Sequence, residues 1–303
     1  MSAGLASVRL PGSDGPILAV HDGERLLPLE VAARAAGERH SVPTTLRSAL
    51  GDWARWSAVV VAAAAGDHTT WMRADELLFL PAVDDPLNVY CAGANYYDHI
   101  EEMGAMRPDK SETRPFHFLA STGALSGHRC EVVRPAGCTR FDWEVELAVV
   151  IARDATAIPA ARAEEVIAGY TVANDLSMRD FARRSDSTFF PDWLESKCHP
   201  GCLPLGPSVV PASLISDPMK LGLSLTVNGD RKQASSTERM IFSVFEQIEY
   251  LSRVATLRAG DVIITGTPAG TGIASGAYLN PGDRVVAEVE SVGRLETTIV
   301  ESR

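Results

Sequence analysis

The chain has 303 residues, 46% of them hydrophobic and 22% charged, ordinary globular proportions that exclude a disordered or fibrous protein. Its 39 acidic against 28 basic residues give a formal charge of -11, which repels phosphate backbones and anionic lipid and argues against nucleic acid or membrane surfaces as partners. An anionic substrate must therefore be held by a local positive centre such as a metal ion.

Met1 to Leu10 has no apolar core behind a basic start, as a secretory signal would need. The longest apolar run, Ala58 to Ala65, is far shorter than the roughly 20 residues of a bilayer span. The five cysteines, Cys91, Cys130, Cys138, Cys198 and Cys202, are an odd number without framework spacing, which fits a reducing cytoplasm. Residues 1 to about 80 read as a small separate unit. A strand-like stretch around Ile17–Val20 meets a turn at Asp22-Gly23, then an alanine-rich helical stretch follows, with another at Leu46–Ala65. No titratable cluster stands out there, which assigns this unit to packing or dimer support.

From about residue 85 to 303 the texture changes to short β-branched runs punctuated by Gly and Pro. Strands are expected at Cys130–Val133, Leu147–Ile151, Tyr170–Val172, Leu223–Val227, Val262–Thr265, Arg284–Val289 and Thr297–Val300. Asn228-Gly229 is a two-residue hairpin signal, and Pro281-Gly282-Asp283 is a second turn. One helix interrupts the strands: Ser243 and Glu246 form a capping box, and Val244, Ile248 and Leu251 share a face. The expected class is α/β and β-rich.

The chemistry gathers in three segments. In Asp142-Trp143-Glu144-Val145-Glu146, running into a buried strand, alternation puts the three carboxylates on one face and Trp143, Val145 and Leu147 on the other. Carboxylates so placed repel unless a cation or proton compensates, although a solvated edge strand reads the same way. A second apolar strand, Gly169 to Asn174, ends in Asp175. All-oxygen ligation selects Mg²⁺, Mn²⁺ or Ca²⁺ over zinc. Third, His99 and Glu102 lie on one face of a helical turn, so the carboxylate can orient the imidazole as a base.

Together these segments resemble the fumarylacetoacetate hydrolase family over roughly residues 85 to 303. The matching stretches are G-A-N-Y-Y-D-H at 93–99, D-W-E-V-E-L-A at 142–148, N-D-L-S-M-R-D at 174–180, D-W-L-E-S-K at 192–197, M-I-F-S at 240–243 and G-D-V-I-I-T-G-T-P-A-G-T-G at 260–272. The resemblance implies a mixed β-sheet roll and a homodimer. It implies metal ligands at Glu144, Glu146 and Asp175, and His99 with Glu102 as a water-activating dyad on a lid from Tyr96 to Met106. Lys197 would stabilise charge beside the substrate, and Tyr96, Arg179, Gly266 and Thr267 would contact it. The implied activity is cleavage of a carbon–carbon bond in a 2,4-dioxo acid. Alternatives are decarboxylation, hydration or isomerisation of a 2-oxo acid, and a silent metal-binding homologue.

Departures from the pattern bear on the substrate. Ala120 and Ala182 stand where relatives carry a lysine and a glutamine, so a bulkier, less acidic tail is expected, lined by Phe181 and Phe189, with Arg183 or Arg184 as compensating cations. Cys198, His199 and Cys202 read as a pocket wall rather than a zinc site, because no second pair lies at ligand spacing. His117 and His128 read as structural, and Asp142 as a hydrogen-bonding neighbour of the ligands.

Overall fold

The structure is a computed structural model that describes residues 2–13, 15–66 and 70–301. Met1 and Arg303, the outer ends of the two expected units, lie outside the described residues.

The central strand Val145–Ile151 shows why the fold is layered. It is buried along its whole length. Val145, Leu147, Val149 and Ile151 enter one hydrophobic cluster, whereas Ala148 and Val150 enter another on the opposite face. A strand apolar on both sides needs cover on both sides. One cover is a five-stranded sheet, in the order Asp230–Ser236, Gly222–Val227, Arg284–Val289, Gly293–Val300 and Cys130–Val133, together with the helix Val244–Val254. The other is the N-terminal helices Leu29–Ala35, Leu46–Leu50 and Trp53–Ala65.

The large sheet runs Met72–Arg73, Arg25–Pro28, Ile17–His21, Gly4–Arg9, Leu203–Pro211, Ile167–Asn174, Val145–Ile151, Val262–Ile264, Val89–Ala92 and His117–Ala120. Its N-terminal strands join the rest where Leu5 pairs with Val209. The division near residue 80 is thus one of sequence texture and not of sheet hydrogen bonding.

Local signals are realised closely. The hairpin at Asn228-Gly229 has both residues at positive φ, 54° and 88°, as its turn requires. The helix Val244–Val254 starts with the reciprocal Ser243–Glu246 capping box. The expected helix over Leu46–Ala65 is corrected to two, Leu46–Leu50 and Trp53–Ala65, because Asp52 takes a non-helical φ of -144°. The D-W-E-V-E run is also not one strand. Phe141–Asp142 pairs with Ser177–Met178, and the long strand begins only at Val145. The Asn174 side chain accepts the Glu144 N–H at 3.0 Å and Asp142 accepts the Trp143 N–H at 2.8 Å, which holds the break open. No helix among the described residues is long and apolar enough to cross a membrane.

Candidate active site

Three elements bring the carboxylates together. Glu146 lies near the start of the Val145–Ile151 strand, Glu144 sits in the break before it, and Asp175 follows the end of Ile167–Asn174. Pairing of Val145 with Asn174 fixes the register, and the Asp175 N–H donates to the Glu144 carbonyl at 2.9 Å. One oxygen from each of Glu144, Glu146 and Asp175 lies within 4.8 Å of the others, and all three residues are buried. Among the described residues this is the one such group of His, Cys, Asp and Glu that could hold a metal ion.

Two buried cations offset part of this charge. Lys197 Nζ donates to Glu144 Oε2 at 2.6 Å, to Asp175 Oδ2 at 2.7 Å and to the Asp175 carbonyl at 3.2 Å. Arg179 bridges Asp142 at 2.9 Å and Glu144 at 2.5 Å. Burial pushes Glu144 up, but Lys197 and Arg179 outweigh it and hold the carboxyl at about 2. Glu146 has no such partner; burial, with Asp175 and Glu144 adding to it, pushes it well above the usual carboxylate range. Asp175 is also raised, by burial first. Its Oδ1 is buried without a hydrogen-bond partner. A converging set of buried oxygens, one of them orphaned, fits a hard divalent cation.

Asp142 turns away from this group. It accepts the N–H groups of Gly272 and Ile273 at 2.6 and 3.0 Å and holds Arg179, so it acts through its neighbours, as its expected place beside the ligands requires.

The candidate base, His99, lies on the short helix Tyr97–Glu102. His99 Nδ1 is 2.7 Å from Glu102 Oε1. Glu102 in turn accepts the Gly270 N–H at 2.7 Å and the Thr271 hydroxyl at 3.0 Å. Burial raises Glu102, but the bonds from His99, Gly270 and Thr271 outweigh it and keep the carboxyl below its usual value. Asp98, on the same helix, accepts from the Ser235 hydroxyl at 2.7 Å and the Ala269 N–H at 3.3 Å. The expected lid is therefore clamped to the 269–271 loop in this structure.

That loop is held from behind. Buried Gln233 accepts the Val145 N–H at 2.9 Å and donates to Thr267 Oγ1 and the Pro268 carbonyl, each at 2.9 Å. Thr267 donates to the Val145 carbonyl at 2.9 Å, and the Gly266 N–H donates to Glu146. Gly266 has φ +102°, and a Cβ there would meet Asn95 Cβ at 2.7 Å, so only glycine delivers this N–H.

His99, Glu144, Glu146, Asp175, Arg179, Lys197 and Thr267 line one cavity of about 350 Å³. Its opposite wall is apolar: Met103, Phe116, Phe118 and Trp193. Phe118 and Trp193 stack with centroids 4.4 Å apart and planes 6° apart. Sequence reasoning missed this wall, although Trp193 and Lys197 are four apart on the helix Trp193–Lys197 and so share a face.

Several expectations need correction. Tyr96 is fully buried and belongs to the core cluster, not to the cavity wall. Its short link between the Val89–Ala92 strand and the helix turns the ring inward. Arg179 and Thr267 do line the cavity as expected of substrate contacts, with the Arg179 guanidinium also on Asp142 and Glu144, the Thr267 hydroxyl on the Val145 carbonyl and the Gly266 N–H on Glu146. Ala120 packs in the apolar cluster on the other face of the sheet, and neither it nor Ala182 lines this cavity. Phe189 is 87% exposed and Phe181 faces a separate surface depression, shared with Arg183 and Arg184. Arg184 is paired with Asp186 and Asp192.

The remaining candidates have structural partners. His117 bonds Gln247 Oε1 at 3.1 Å, and burial lowers it to about 4. His128 accepts the Glu296 N–H at 3.1 Å, and burial lowers it to about 3. Cys202 is fully buried, whereas Cys198 accepts the Ser121 N–H at 3.3 Å and His199 lies against Phe181.

Residues 88–300 match the model of the fumarylacetoacetate (FAA) hydrolase C-terminal domain. The chain belongs to the fumarylacetoacetate hydrolase family. Human mitochondrial oxaloacetate tautomerase FAHD2B is 37% identical over 227 residues, which are 74% of this chain and 70% of that protein. Fumarylpyruvate hydrolase from Pseudomonas aeruginosa, solved in complex with Mn²⁺ and pyruvate, is 32% identical with a TM-score of 0.65, covering 74% of this chain and 92% of its own. A 5-carboxymethyl-2-hydroxymuconate delta-isomerase from Mycobacterium smegmatis is 29% identical with a TM-score of 0.72 and covers 99% of both chains. The family is thus one of enzymes that includes hydrolases, isomerases and tautomerases, and its strand-rich α/β fold is shared by this member.

Proposed function

We propose that the protein is a divalent-cation-dependent enzyme that hydrolyses a carbon–carbon bond in an acylpyruvate-like 2,4-dioxo acid. The observation that carries this reading is one cavity with a base and three carboxylates on one side and an apolar wall on the other. Glu144, Glu146 and Asp175 would hold Mg²⁺ or Mn²⁺, which supplies Lewis-acid polarisation of the 2-oxo acid head when bound. A relative 32% identical binds Mn²⁺ and pyruvate, which supports both the ion and the head group.

The rest of the chemistry belongs to side chains. Glu102 occupies His99 Nδ1, so Nε2 is the atom that takes a proton from water. Glu102 then stabilises the imidazolium. The water oxygen attacks the distal carbonyl, collapse of the adduct breaks the bond from that carbon to the adjacent CH₂, and the carboxylic acid leaves while the pyruvate enolate takes on carbon the proton held at His99 Nε2. Lys197 supplies positive charge beside the bond that breaks, after exchanging one of its present contacts for the developing oxyanion.

The tail follows from charge. The cations lining the cavity are Arg179 and Lys197, both paired with carboxylates. A second substrate carboxylate would lack a partner among the described lining residues, so an apolar tail fits better than a diacid. Pyruvate release from a panel of acylpyruvates, before and after EDTA and with Mg²⁺ or Mn²⁺ restored, tests the reading; no release from any member overturns it.

A second reading is tautomerisation, in which His99 takes a proton from carbon. The 37% identity to an oxaloacetate tautomerase supports it. Keto–enol exchange of oxaloacetate without pyruvate release from acylpyruvates would favour it. Assembly as a homodimer, a cytoplasmic location and a boundary between 1–80 and 85–303 remain expectations from the sequence.

A further inference from the structure

The helix Tyr97–Glu102 that carries His99 has six residues and no side-chain cap at its start, too short to be stable by itself. Tertiary contacts therefore decide where it points. The chain entering it is tied by backbone: the Ile241 N–H donates to the Asn95 carbonyl at 2.8 Å, and Tyr96 bridges to Met240. The chain leaving it turns at Gly104, with φ +71°, into the mostly exposed residues 105–114. Backbone thus fixes one end of the helix and leaves the other to side chains.

Two carboxylates, Asp98 and Glu102, hold it. They stand four apart, a spacing at which like charges on a helix repel, so each needs donors of its own. Glu102 accepts from the Gly270 N–H and the Thr271 hydroxyl. Asp98 accepts from the Ala269 N–H at 3.3 Å and the Ser235 hydroxyl at 2.7 Å. Arg239, 3.8 Å from Asp98 and 60% exposed, adds little through solvent. Glu102 also holds His99, so on this anchor alone the helix could swing and carry the imidazole with it. Asp98 supplies a second anchor one residue from His99.

That anchor rests on a strand that also supports the loop. Ser235 lies on Asp230–Ser236, the edge strand of the five-stranded sheet, two residues from Gln233 and so on the same face. Gln233 is fully buried and directs its amide to Val145, Thr267 and Pro268. The loop also lies against the strand's backbone: Gly270 has φ +98°, and a Cβ there would meet the Lys232 carbonyl oxygen at 2.1 Å. One strand therefore carries the loop that receives Glu102, the hydroxyl that receives Asp98, and a grip on the peptide between Glu144 and Glu146.

We propose that Asp98 is a positioning residue, held by Ser235, that fixes the direction in which His99 faces the three carboxylates. This rests on the proposed use of His99 as the base of hydrolysis and adds two residues to that machinery.

The test uses Mn²⁺-loaded enzyme and an acylpyruvate. Ser235→Ala removes one hydroxyl and should lower hydrolytic kcat by about tenfold to a hundredfold, the worth of one hydrogen bond to a charged group. KM, and Mn²⁺ affinity read by calorimetry, should not change. Ser235→Thr restores the hydroxyl on a strand-favouring residue and should recover kcat. Asp98→Asn keeps polar groups facing Ala269 and Ser235 and should lose less than Asp98→Ala. Unchanged kcat in Ser235→Ala, a parallel fall in Mn²⁺ affinity, no recovery with Ser235→Thr, or equal losses in the two Asp98 variants overturns the proposal. Amide hydrogen exchange reads the same point without turnover. The N–H groups of Ile100 and Met103, which close the helix on the Tyr96 and His99 carbonyls, should exchange faster in Ser235→Ala while the helix Val244–Val254 keeps its protection. Should wild-type enzyme cleave no acylpyruvate, the hydrolase reading fails by itself. Exchange then decides whether Asp98 and Ser235 anchor the helix, and equal rates overturn the proposal.

Discussion

The two walls of the cavity are built on opposite plans. On the charged wall, Glu146 stands on a long central strand, Glu144 and Asp175 flank the ends of two such strands, and Lys197, Arg179, Gln233 and Gly266 hold them in place. On the other wall, Met103 and Phe116 are roughly half exposed and come from connecting segments, with Trp193 from a five-residue helix. A wall with so many mutual hydrogen bonds cannot change one residue without stranding another in low dielectric. An apolar wall of loosely held rings can change residue by residue at modest cost. The first suits chemistry shared across a family, and the second suits the choice of tail.

The contrast makes graded predictions. The largest effect should come from the charged wall itself: EDTA should abolish turnover, Mg²⁺ or Mn²⁺ should restore it, and Glu146→Ala or Asp175→Ala should prevent restoration. Full activity in metal-depleted enzyme would remove the proposed role of these carboxylates.

Next, His99→Ala should lower hydrolytic turnover by about 10²–10⁴-fold, while any oxaloacetate decarboxylation falls much less because it needs no activated water. Equal losses in the two assays would give His99 a binding role instead.

Arg179→Met should leave Asp142 buried with its charge unpaired and cost about 3–5 kcal/mol of stability, read from denaturant midpoints. A cost near zero would show that the charged wall tolerates piecewise change after all.

Behind the apolar wall, His117 has a folded value of about 4 against 6.5 when free. Between those pH values the unfolded chain binds the proton and the folded chain does not. Stability from this group is thus complete above 6.5 and declines as pH falls toward 4, by up to about 3 kcal/mol. Denaturant unfolding across that window should show the decline, and His117→Gln should lessen its slope, the rest coming from His21 and His128, which burial also lowers, to about 4 and about 3.

The smallest effect belongs to the apolar wall. Trp193→Leu should raise KM for long-tailed acylpyruvates by about tenfold, within the usual range for a few methylenes of contact, with little change for the shortest substrate. A matching loss on the shortest substrate would place Trp193 among the groups that position the head.

What could be read from the sequence was what backbone geometry fixes over a few residues. Alternation along Val145–Ile151, the Asn228-Gly229 turn, the Ser243 capping box and the three-residue spacing of His99 and Glu102 each depend on one element's own period. The candidate ligands Glu144, Glu146 and Asp175 were legible as carboxylates on two apolar strands and from the family resemblance, whereas the antiparallel pairing that brings them together came from the structure. Tertiary structure alone decided the partners. Arg179 meets Asp142 across 37 residues and Gln233 meets Val145 across 88, separations over which no periodicity carries information. It also decided that Tyr96 turns inward, that Ala120 lies off the cavity, that Leu5 pairs with Val209, and that Asp98 meets Ser235. Each of these outcomes depends on which surfaces close-pack once the sheets are stacked, and that is a property of the whole chain rather than of any segment.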